Sequence, residues 1–240
     1  MSSPLAARPP PIRGLDVLFV TLAILLLLIL VGILAVLAVN FLPHLSGPVI
    51  RVLRAGGAAF GALVMVAAIL GSVYLIVVRR HGLSWSEIGL ARSAPRALAL
   101  AALTGVALVP VVSVIEALLG LSFEDSMIRL IAPEGFTWGG LIGAVVFLGV
   151  ITPIAEEVYF RGIVYGWLRT RWRAALAAPV SAVVFAATHF VYPWPMMLMV
   201  AGLGVVFALA YELSGSLWPP IAIHATYNSL GITLLFVMLA

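Results

Sequence analysis

The sequence contains no cysteine and no lysine, and only 9% of its residues are charged. The absence of cysteine excludes a disulfide framework, thiolate chemistry and cysteine-ligated metal sites. Because there is no lysine, the net charge of +4 rests on arginine, and the arginines lie near predicted helix ends rather than along one face. That distribution argues against nucleic-acid binding.

The sequence is rich in apolar residues and poor in charged ones. Hydrophobic residues make up 64% of the 240 positions, and charged residues are far below the share of a soluble domain, which is about a quarter. Apolar side chains in such excess need lipid as their solvent. We therefore predict an all-α fold, a polytopic membrane helical bundle of about seven transmembrane helices, within a range of six to eight.

Seven segments qualify, or nearly so, as spanning helices of about 20 apolar residues. They are approximately Leu15–Leu42, Ala55–Val78, Ala97–Leu121, Trp138–Leu168, Ala174–Val191, Pro195–Leu213 and Leu217–Ala240. The first is much longer than the core of a signal peptide, so we expect an uncleaved anchor. The Pro-rich residues 1–14 before it are expected to form a disordered cytoplasmic N-terminus.

Arginine placement predicts the orientation in the membrane, because cytoplasmic segments carry the positive charge. With the N-terminus inside, the cytoplasmic segments hold Arg8, Arg13, Arg79, Arg80, Arg92, Arg96, Arg169, Arg171 and Arg173. The opposite side holds Arg51, Arg54 and Arg129, together with the acidic residues Glu124, Asp125 and Glu134. The bias predicts an integral membrane protein of a bacterial or archaeal cell membrane with a cytoplasmic N-terminus.

The fourth segment is too long for one straight span, since at 1.5 Å per residue it exceeds the hydrocarbon core of about 30 Å. Pro153 lies inside it and has no amide donor. We expect the helix to break near Thr152–Pro153, so that a carboxylate pair opens a new helical turn. Two smaller expectations concern other segments: residues 81–90 form a short surface helix, and Glu212 meets water at a helix end.

Ionisable and amide side chains lie inside the most apolar half of the chain. They are Glu156, Glu157, Arg161, His189, His224 and Asn228. Burying an ionisable group in hydrocarbon costs roughly 2.5 kcal/mol or more, so such groups pair with one another and usually mark a working site.

Glu157 and Arg161 stand four residues apart, which is the favourable spacing for a helical ion pair. Glu156 lies about 100° around the helix from Glu157, so we expect the two carboxylates to have separate partners, with no obvious cation for Glu156. A carboxylate of that kind suits a general base or acid. The structural alternative is that both carboxylates only form ion pairs that hold helices together.

Two histidines and an asparagine follow on later segments. His224 and Asn228 share one helix face at i and i+4, so both reach the same neighbour. His189 follows Phe185 at helical spacing. Taken singly, each of these polar residues can be explained as a hydrogen-bonding contact between membrane helices.

Glutamate with two histidines also matches a metal site by composition. A zinc site of the HExxH type places both histidines on one helix, whereas His189 and His224 lie on different segments. Three protein ligands plus water is the remaining arrangement that zinc could use. Carboxylate and imidazole can also activate water without a metal, and we predict no cofactor, with zinc as the less favoured alternative.

These stretches together resemble the CPBP family of intramembrane proteases, which includes the type II CAAX prenyl endopeptidases and the bacterial bacteriocin-processing and Abi proteins. The family motifs EExxxR, FxxxH and HxxxN/D stand here as EEVYFR at 156–161, FAATH at 185–189 and HATYN at 224–228. The resemblance covers roughly Trp138 to Leu235. It divides the chain into N-terminal transmembrane helices at 15–136 and a catalytic membrane core at 137–240.

The resemblance implies a cavity that opens to the cytosol and the membrane, and cleavage of a peptide bond by an activated water. It implies that Glu156 and His189 handle the water, and that His224 and Asn228 donate to the tetrahedral oxyanion. Glu157 with Arg161 then orients the site.

The predicted function is that of a membrane-embedded endopeptidase acting on a membrane-associated protein or peptide. Its predicted partners are membrane lipid and a peptide or protein substrate, with a lipidated substrate as one alternative and no nucleic acid. A non-catalytic immunity or scaffold protein with a structural polar network is the first competing interpretation. A small proton-coupled transporter is the second, and it requires an acidic path that reaches both membrane faces.

Overall fold

The structure, a computed structural model, describes residues 12–41, 47–121, 132, 135–190 and 192–239. Of residues 1–14, which are predicted to be disordered, residues 1–11 lie outside the described residues, as does the predicted acidic loop with Glu124, Asp125, Arg129 and Glu134. Gly14 begins the first helix. Within the described part of the chain all regular structure is helical, which confirms the predicted all-α membrane bundle.

Seven helices follow one another within the described residues. They are α1 (Gly14–Phe41), α2 (Gly47–Val73, extended by the π-helical segment Tyr74–Arg79), α3 (Pro95–Leu119), α4 (Trp138–Arg169), α5 (Ala174–Ala187), α6 (Trp194–Ser214) and α7 (Trp218–Val237).

Six of these helices contain a segment long and apolar enough to cross a membrane. The exception is α5, whose 14 residues measure about 21 Å. It ends at Ala187 in a turn, short of the predicted end at Val191. The orientation of the termini stays a prediction.

Proline and glycine mark several helix ends, as their backbone preferences require. Pro95 opens α3 at its first turn, where a missing amide costs nothing. Gly120 and Gly215 follow α3 and α6 in the left-handed conformation, with φ of 63° and 66°. Thr137 caps α4 by accepting a hydrogen bond from the Gly140 amide.

The break predicted at Thr152–Pro153 is wrong, because α4 stays helical through the proline. Ile151, just before this dipeptide, has helical backbone angles (φ −70°, ψ −43°). The chain instead widens into a π-helix over Val145–Ile151, and the Thr152 amide donates to the Phe147 carbonyl five residues back. The wider turn ends directly before Pro153, which relieves the clash that a proline ring makes in an ordinary α-turn.

α4 is the buried centre of the bundle, whereas α1 exposes most of its leucines along its outer surface. Nearly every residue from Thr152 to Leu168 is buried or half-buried. Close helix contacts surround this centre: a Cβ at Gly149 would lie 2.6 Å from the Ser229 hydroxyl of α7, and one at Gly204 of α6 would lie 3.0 Å from Ala182. Small residues at these points let the helix backbones approach closely.

The arginine-rich segments lie together at one end of the bundle. His81 after α2 contacts Asp16 of α1 at 3.0 Å, and Ser216 before α7 donates to the Ala91 carbonyl at 2.7 Å. Arg169 at the end of α4 pairs with Glu212 of α6 at 2.8 Å. This arrangement places on one side the segments that the positive-inside rule assigns to the cytoplasm.

Two smaller expectations at this end are wrong. Glu212 does not meet water: it is 6% exposed, because Arg169 and Tyr165 supply its hydrogen bonds. Residues 81–90 form turns rather than a surface helix. The Ser84 amide and hydroxyl both donate to Glu87 at 2.7 Å, which holds the turn and lowers the pKa of Glu87.

Candidate functional site

Glu157 is the most enclosed member of the predicted site. Its side chain is fully buried in α4, and Arg161 donates to its Oε1 at 2.8 Å, so the predicted ion pair is present. The His224 Nδ1 of α7 lies 2.8 Å from the same oxygen. These two partners replace the water that the buried carboxylate oxygen has lost.

Arg161 is buried among aromatic rings and a backbone carbonyl. Its guanidinium carbon lies 4.5 Å from the ring centre of Phe185 and 5.0 Å from that of Phe207. It also donates to the Gly204 carbonyl of α6 at 3.1 Å. Cation–π contacts and this hydrogen bond compensate for the water that the guanidinium has lost.

Glu156 is the more accessible carboxylate, with a side chain that is 13% exposed. Its Oε2 lies 3.7 Å from the His224 Nε2. The prediction that the two glutamates have separate partners is therefore wrong, because one imidazole ring points a nitrogen at each of them. The reason is that His224 approaches from a different helix and spans the angle between them. Glu156, Glu157, Arg161 and His224 together are called the carboxylate cluster below.

His189 lies beside this cluster in the turn that follows α5. Its ring packs against Phe185, with centroids 4.8 Å apart, and the His224 ring packs against the same phenylalanine at 5.9 Å. His189 Nδ1 lies 3.1 Å from the Phe185 carbonyl. A carbonyl can only accept, so this nitrogen carries a proton and Nε2 is the free acceptor of the neutral ring.

Asn228 contacts α4 one turn away from His224. Its Nδ2 donates to the Leu148 carbonyl at 3.4 Å, and its side chain is half-buried. Both members of the predicted His–Asn pair thus reach the same neighbouring helix, as their spacing predicts. They bind different positions on it, and the catalytic roles of all six predicted residues stay predictions.

Sequence reasoning missed two aromatic residues of the site. Phe207 of α6 stacks on the His224 ring at 4.5 Å with an interplanar angle of 18°. Tyr192 stacks on His189 at 5.9 Å. Burial raises the pKa of Tyr192, and the negative charge of Glu156 raises it further, which indicates that the tyrosine lies near the cluster. The position of Tyr192 three residues after His189 could have indicated that it lies near the site. Phe207 lies in an unbroken apolar run, so nothing in the sequence distinguishes it from its neighbours.

The cluster is poorly suited to a metal ion. His224 commits one nitrogen to Glu157, and the Arg161 cation already neutralises that carboxylate. A divalent ion at these oxygens would lie beside a buried guanidinium, which repels it. Within the described residues, no group of three or more His, Asp or Glu side chains is arranged to hold a metal.

The arrangement holds two carboxylates, one guanidinium and one imidazole in a space with little water. When the His224 ring is neutral, the two carboxylates and the guanidinium give the cluster a net charge of −1. Binding one proton would make the cluster neutral. A proton can be shared between the partly exposed Glu156 and the Nε2 of His224, which lie within reach of one bridging water. Such a set can accept a proton from a bound water and return it to a leaving group.

Comparison with known proteins links this site to membrane peptidases. Residues 138–230, which contain all six predicted site residues, match the family described as type II CAAX prenyl endopeptidase Rce1-like. That match confirms the resemblance predicted from the three motifs. It covers the helices of the site and leaves α1 to α3 outside.

Several curated bacterial proteins are similar to part of the chain. The membrane-embedded CAAX protease MroQ of Staphylococcus aureus is 31% identical over 99 residues, which is 39% of this chain and 38% of that protein. The putative membrane peptidase YdiL of Bacillus subtilis is 28% identical over 85 residues, or 35% of this chain and 34% of that protein. The uncharacterized protein YpbD of Bacillus subtilis is 33% identical over 82 residues, covering 33% and 39%. The chain thus spans about a third to two fifths of these relatives, and no solved structure matches it.

Proposed function

We propose that this protein is a membrane-embedded endopeptidase that hydrolyses a peptide bond in a membrane-associated protein or peptide. The observation that carries the proposal is the single imidazole of His224, held between a fully buried, arginine-paired Glu157 and a partly exposed Glu156. The likeness to the Rce1-like endopeptidases supports the same reaction class.

Glu156 is the proposed general base. Its side chain is 13% exposed and its nearest cation-forming group lies 3.7 Å away, whereas the Oε1 of Glu157 is occupied by two donors. A base has to reach a water and have a free lone pair, and Glu156 meets both conditions. His189 assists as an acceptor for the same water, since its Nδ1 faces a carbonyl and its Nε2 is left free.

The proposed reaction balances with these groups alone. Glu156 takes a proton from water as the water oxygen bonds to the scissile carbonyl carbon, which forms a tetrahedral oxyanion. The C–N bond then breaks, and the proton held by Glu156 passes to the leaving amine. The products are a carboxylic acid and an amine, and the carboxylate of Glu156 is regenerated.

His224 and Asn228 are the proposed donors to the oxyanion. Because the Nδ1 of His224 donates to Glu157, its Nε2 can donate to the oxyanion only when the ring is protonated; the proposed donor is therefore the imidazolium, whose charge the Glu157 carboxylate stabilises. Preorganised donors of this type are usually worth about 10²-fold or more in rate. Glu157 and Arg161 act through His224 and are positioning residues.

The proposed substrate class, a prenylated C-terminal peptide, rests on the family description, which names a CAAX prenyl endopeptidase. A lipidated C-terminal segment would enter from the membrane side, and its peptide bond would lie at the depth of the cluster. Unmodified membrane peptides are the second substrate class, and cleavage of matched peptides with and without the lipid distinguishes the two.

A structural role is the competing function, and one observation favours it. Arg161 and Glu157 join α4 to α6 through Gly204 and to α7 through His224, so they stabilise the bundle whether or not it catalyses. The test compares membrane-protein cleavage products in cells that express the wild type or Glu156→Ala. Products present only with the wild type are expected. An identical product set in the two strains would overturn the endopeptidase proposal and leave the structural role.

A further inference from the structure

The Leu148 carbonyl, which accepts from Asn228, has lost the backbone donor that a π-helix would supply. The Thr152 amide donates to Phe147, five residues back. Extending that pattern by one residue would bring the amide of residue 153 onto the Leu148 carbonyl. Residue 153 is proline and has no N–H, so this carbonyl is open to a donor from another helix.

The Thr152 hydroxyl is a second nearby donor, and it does not bind the Leu148 carbonyl either. Hydroxyls inside membrane helices commonly donate to the carbonyl four residues back, as Thr21, Thr104 and Thr233 do here at 2.7, 2.9 and 2.7 Å. For Thr152 that acceptor is Leu148. The Thr152 hydroxyl is nevertheless buried with no hydrogen-bond partner in the described structure. Asn228 Nδ2 is the side-chain donor that reaches Leu148, at 3.4 Å.

The helix contact beside this bond is tight. Gly149 of α4 lies against Ser229 of α7, and an added Cβ would come within 3.2 Å of the Ser229 Cα. The backbone of Asn228 is therefore fixed against α4. What remains to be set is the orientation of its terminal amide, whose oxygen and nitrogen ends have opposite hydrogen-bonding character.

We propose that Pro153 is a positioning residue, which by withholding an amide reserves the Leu148 carbonyl to orient Asn228. One N–H of the Asn228 amide is held by Leu148, and the second is directed to the substrate oxyanion. Without that acceptor the amide can turn and present its oxygen, which would repel the oxyanion. The inference rests on the proposed function and deepens it.

Pro153→Ala tests the inference, because alanine restores an amide that competes with Asn228 for the Leu148 carbonyl; that carbonyl has two lone pairs, but its bond from Asn228 is long at 3.4 Å and is the one expected to weaken. The assay uses an internally quenched peptide spanning a cleavage site found in the product comparison. We expect kcat to fall about tenfold with KM unchanged, on the scale of losing one hydrogen bond to a charged group. Thermal stability in detergent should stay equal or rise, because interior proline destabilises helices. Pro110→Ala, the same change at an exposed position of α3, should keep the wild-type kcat.

A double-mutant cycle with Asn228→Ala separates this role from a general change in α4. If Pro153 acts through Asn228, Pro153→Ala should cause no further loss of kcat in the Asn228→Ala background. Losses that multiply would mean that the proline acts on another group, and a wild-type kcat in Pro153→Ala would also overturn the inference. Full activity in Glu156→Gln would instead overturn the proposed reaction, so the two failures are distinguishable.

Discussion

Two arginine–glutamate pairs on α4 differ in how completely their hydrogen bonds are used. Arg169 at the arginine-rich end binds Glu212 through both carboxylate oxygens, with Nε at 2.8 Å from Oε2 and Nη2 at 2.8 Å from Oε1. Tyr165 donates to the same carboxylate at 2.7 Å. This pair is saturated, and it joins the end of α4 to the end of α6.

The Arg161–Glu157 pair, two turns earlier in α4, is not saturated. Both Arg161 and His224 bind the Oε1 of Glu157 at 2.8 Å. The second oxygen of Glu157 and the Nε of Arg161 are buried without partners in the described structure. Unsatisfied buried polar groups cost about 1–3 kcal/mol each, and proteins retain them mainly where function needs them.

The comparison distinguishes an ion pair whose two carboxylate oxygens are both used from the ion pair that the proposed function uses. In the Arg169 pair both carboxylate oxygens of Glu212 accept hydrogen bonds. The Arg161 pair continues through His224 to the partly exposed Glu156. Glu156, Glu157 and Glu212 therefore differ in burial and in hydrogen bonding. We expect the change from glutamate to glutamine to have a different effect on activity and stability at each of the three positions.

Glu156→Gln should give the largest effect on activity. Glutamine keeps the shape of the side chain but removes the proton acceptor, so peptide cleavage should fall by about 10²-fold or more. Thermal stability should stay near that of the wild type, since the one ion-pair contact of Glu156 in the described structure is the long 3.7 Å approach of the His224 Nε2. The measurement is kcat on the quenched peptide together with thermal unfolding in detergent. Wild-type cleavage by this variant would refute the assignment of the base.

Glu157→Gln should combine a loss of stability with a loss of activity. The change leaves the Arg161 guanidinium as a buried charge without its counterion, which costs on the order of 3–5 kcal/mol. His224 also loses the acceptor that orients it. Thermal unfolding should therefore shift to clearly lower temperature, unlike that of Glu156→Gln. Equal unfolding temperatures for the two variants would remove the distinction between an enclosed and an open carboxylate.

Glu212→Gln should lower stability and leave the chemistry intact. The pair is partly exposed, with side-chain exposures of 11% for Arg169 and 8% for Glu212, so the loss should be roughly 1.5–3 kcal/mol. kcat per folded molecule should match the wild type. Glu87→Gln, in the exposed turn at the same end of the bundle, is the control: it should keep the wild-type kcat and lower stability less than Glu212→Gln does, because its Ser84 hydrogen bonds are exposed to solvent. A kcat loss in Glu212→Gln would show that the two ion pairs are coupled through α6.

The parts of the site that sequence could predict depend on local spacing. Hydropathy predicts the spans because lipid requires long apolar helices, and the i, i+4 spacing predicts the Glu157–Arg161 pair. Likewise, the spacing of His224 and Asn228 places both on one face, and both contact α4. These results follow from the geometry of a single helix.

The parts that sequence could not predict depend on how helices pack. The partner of Arg169 lies 43 residues away on α6, and the stacking of Phe207 on His224 depends on the rotation of that helix. The continuity of α4 through Pro153 depends on a π-helical turn, which the helix propensities of the residues do not predict. Hydropathy also did not indicate where α5 stops, since apolar Phe190 follows Thr188 and His189 beyond its last helical residue, Ala187.

Removal of metal ions should have the smallest effect, namely none. The difference between the two ion pairs is proposed to lie in a proton path through His224, which needs both ring nitrogens: Nδ1 faces Glu157 at 2.8 Å and Nε2 faces Glu156 at 3.7 Å. A metal ion would take one of those nitrogens and would lie close to the Arg161 cation. Cleavage of the quenched peptide should therefore be unchanged by a strong zinc chelator and by added zinc, while a zinc peptidase assayed in parallel loses activity with the chelator. Loss of cleavage on chelation that zinc restores would contradict this, and Glu156 would then be a metal ligand rather than a free base.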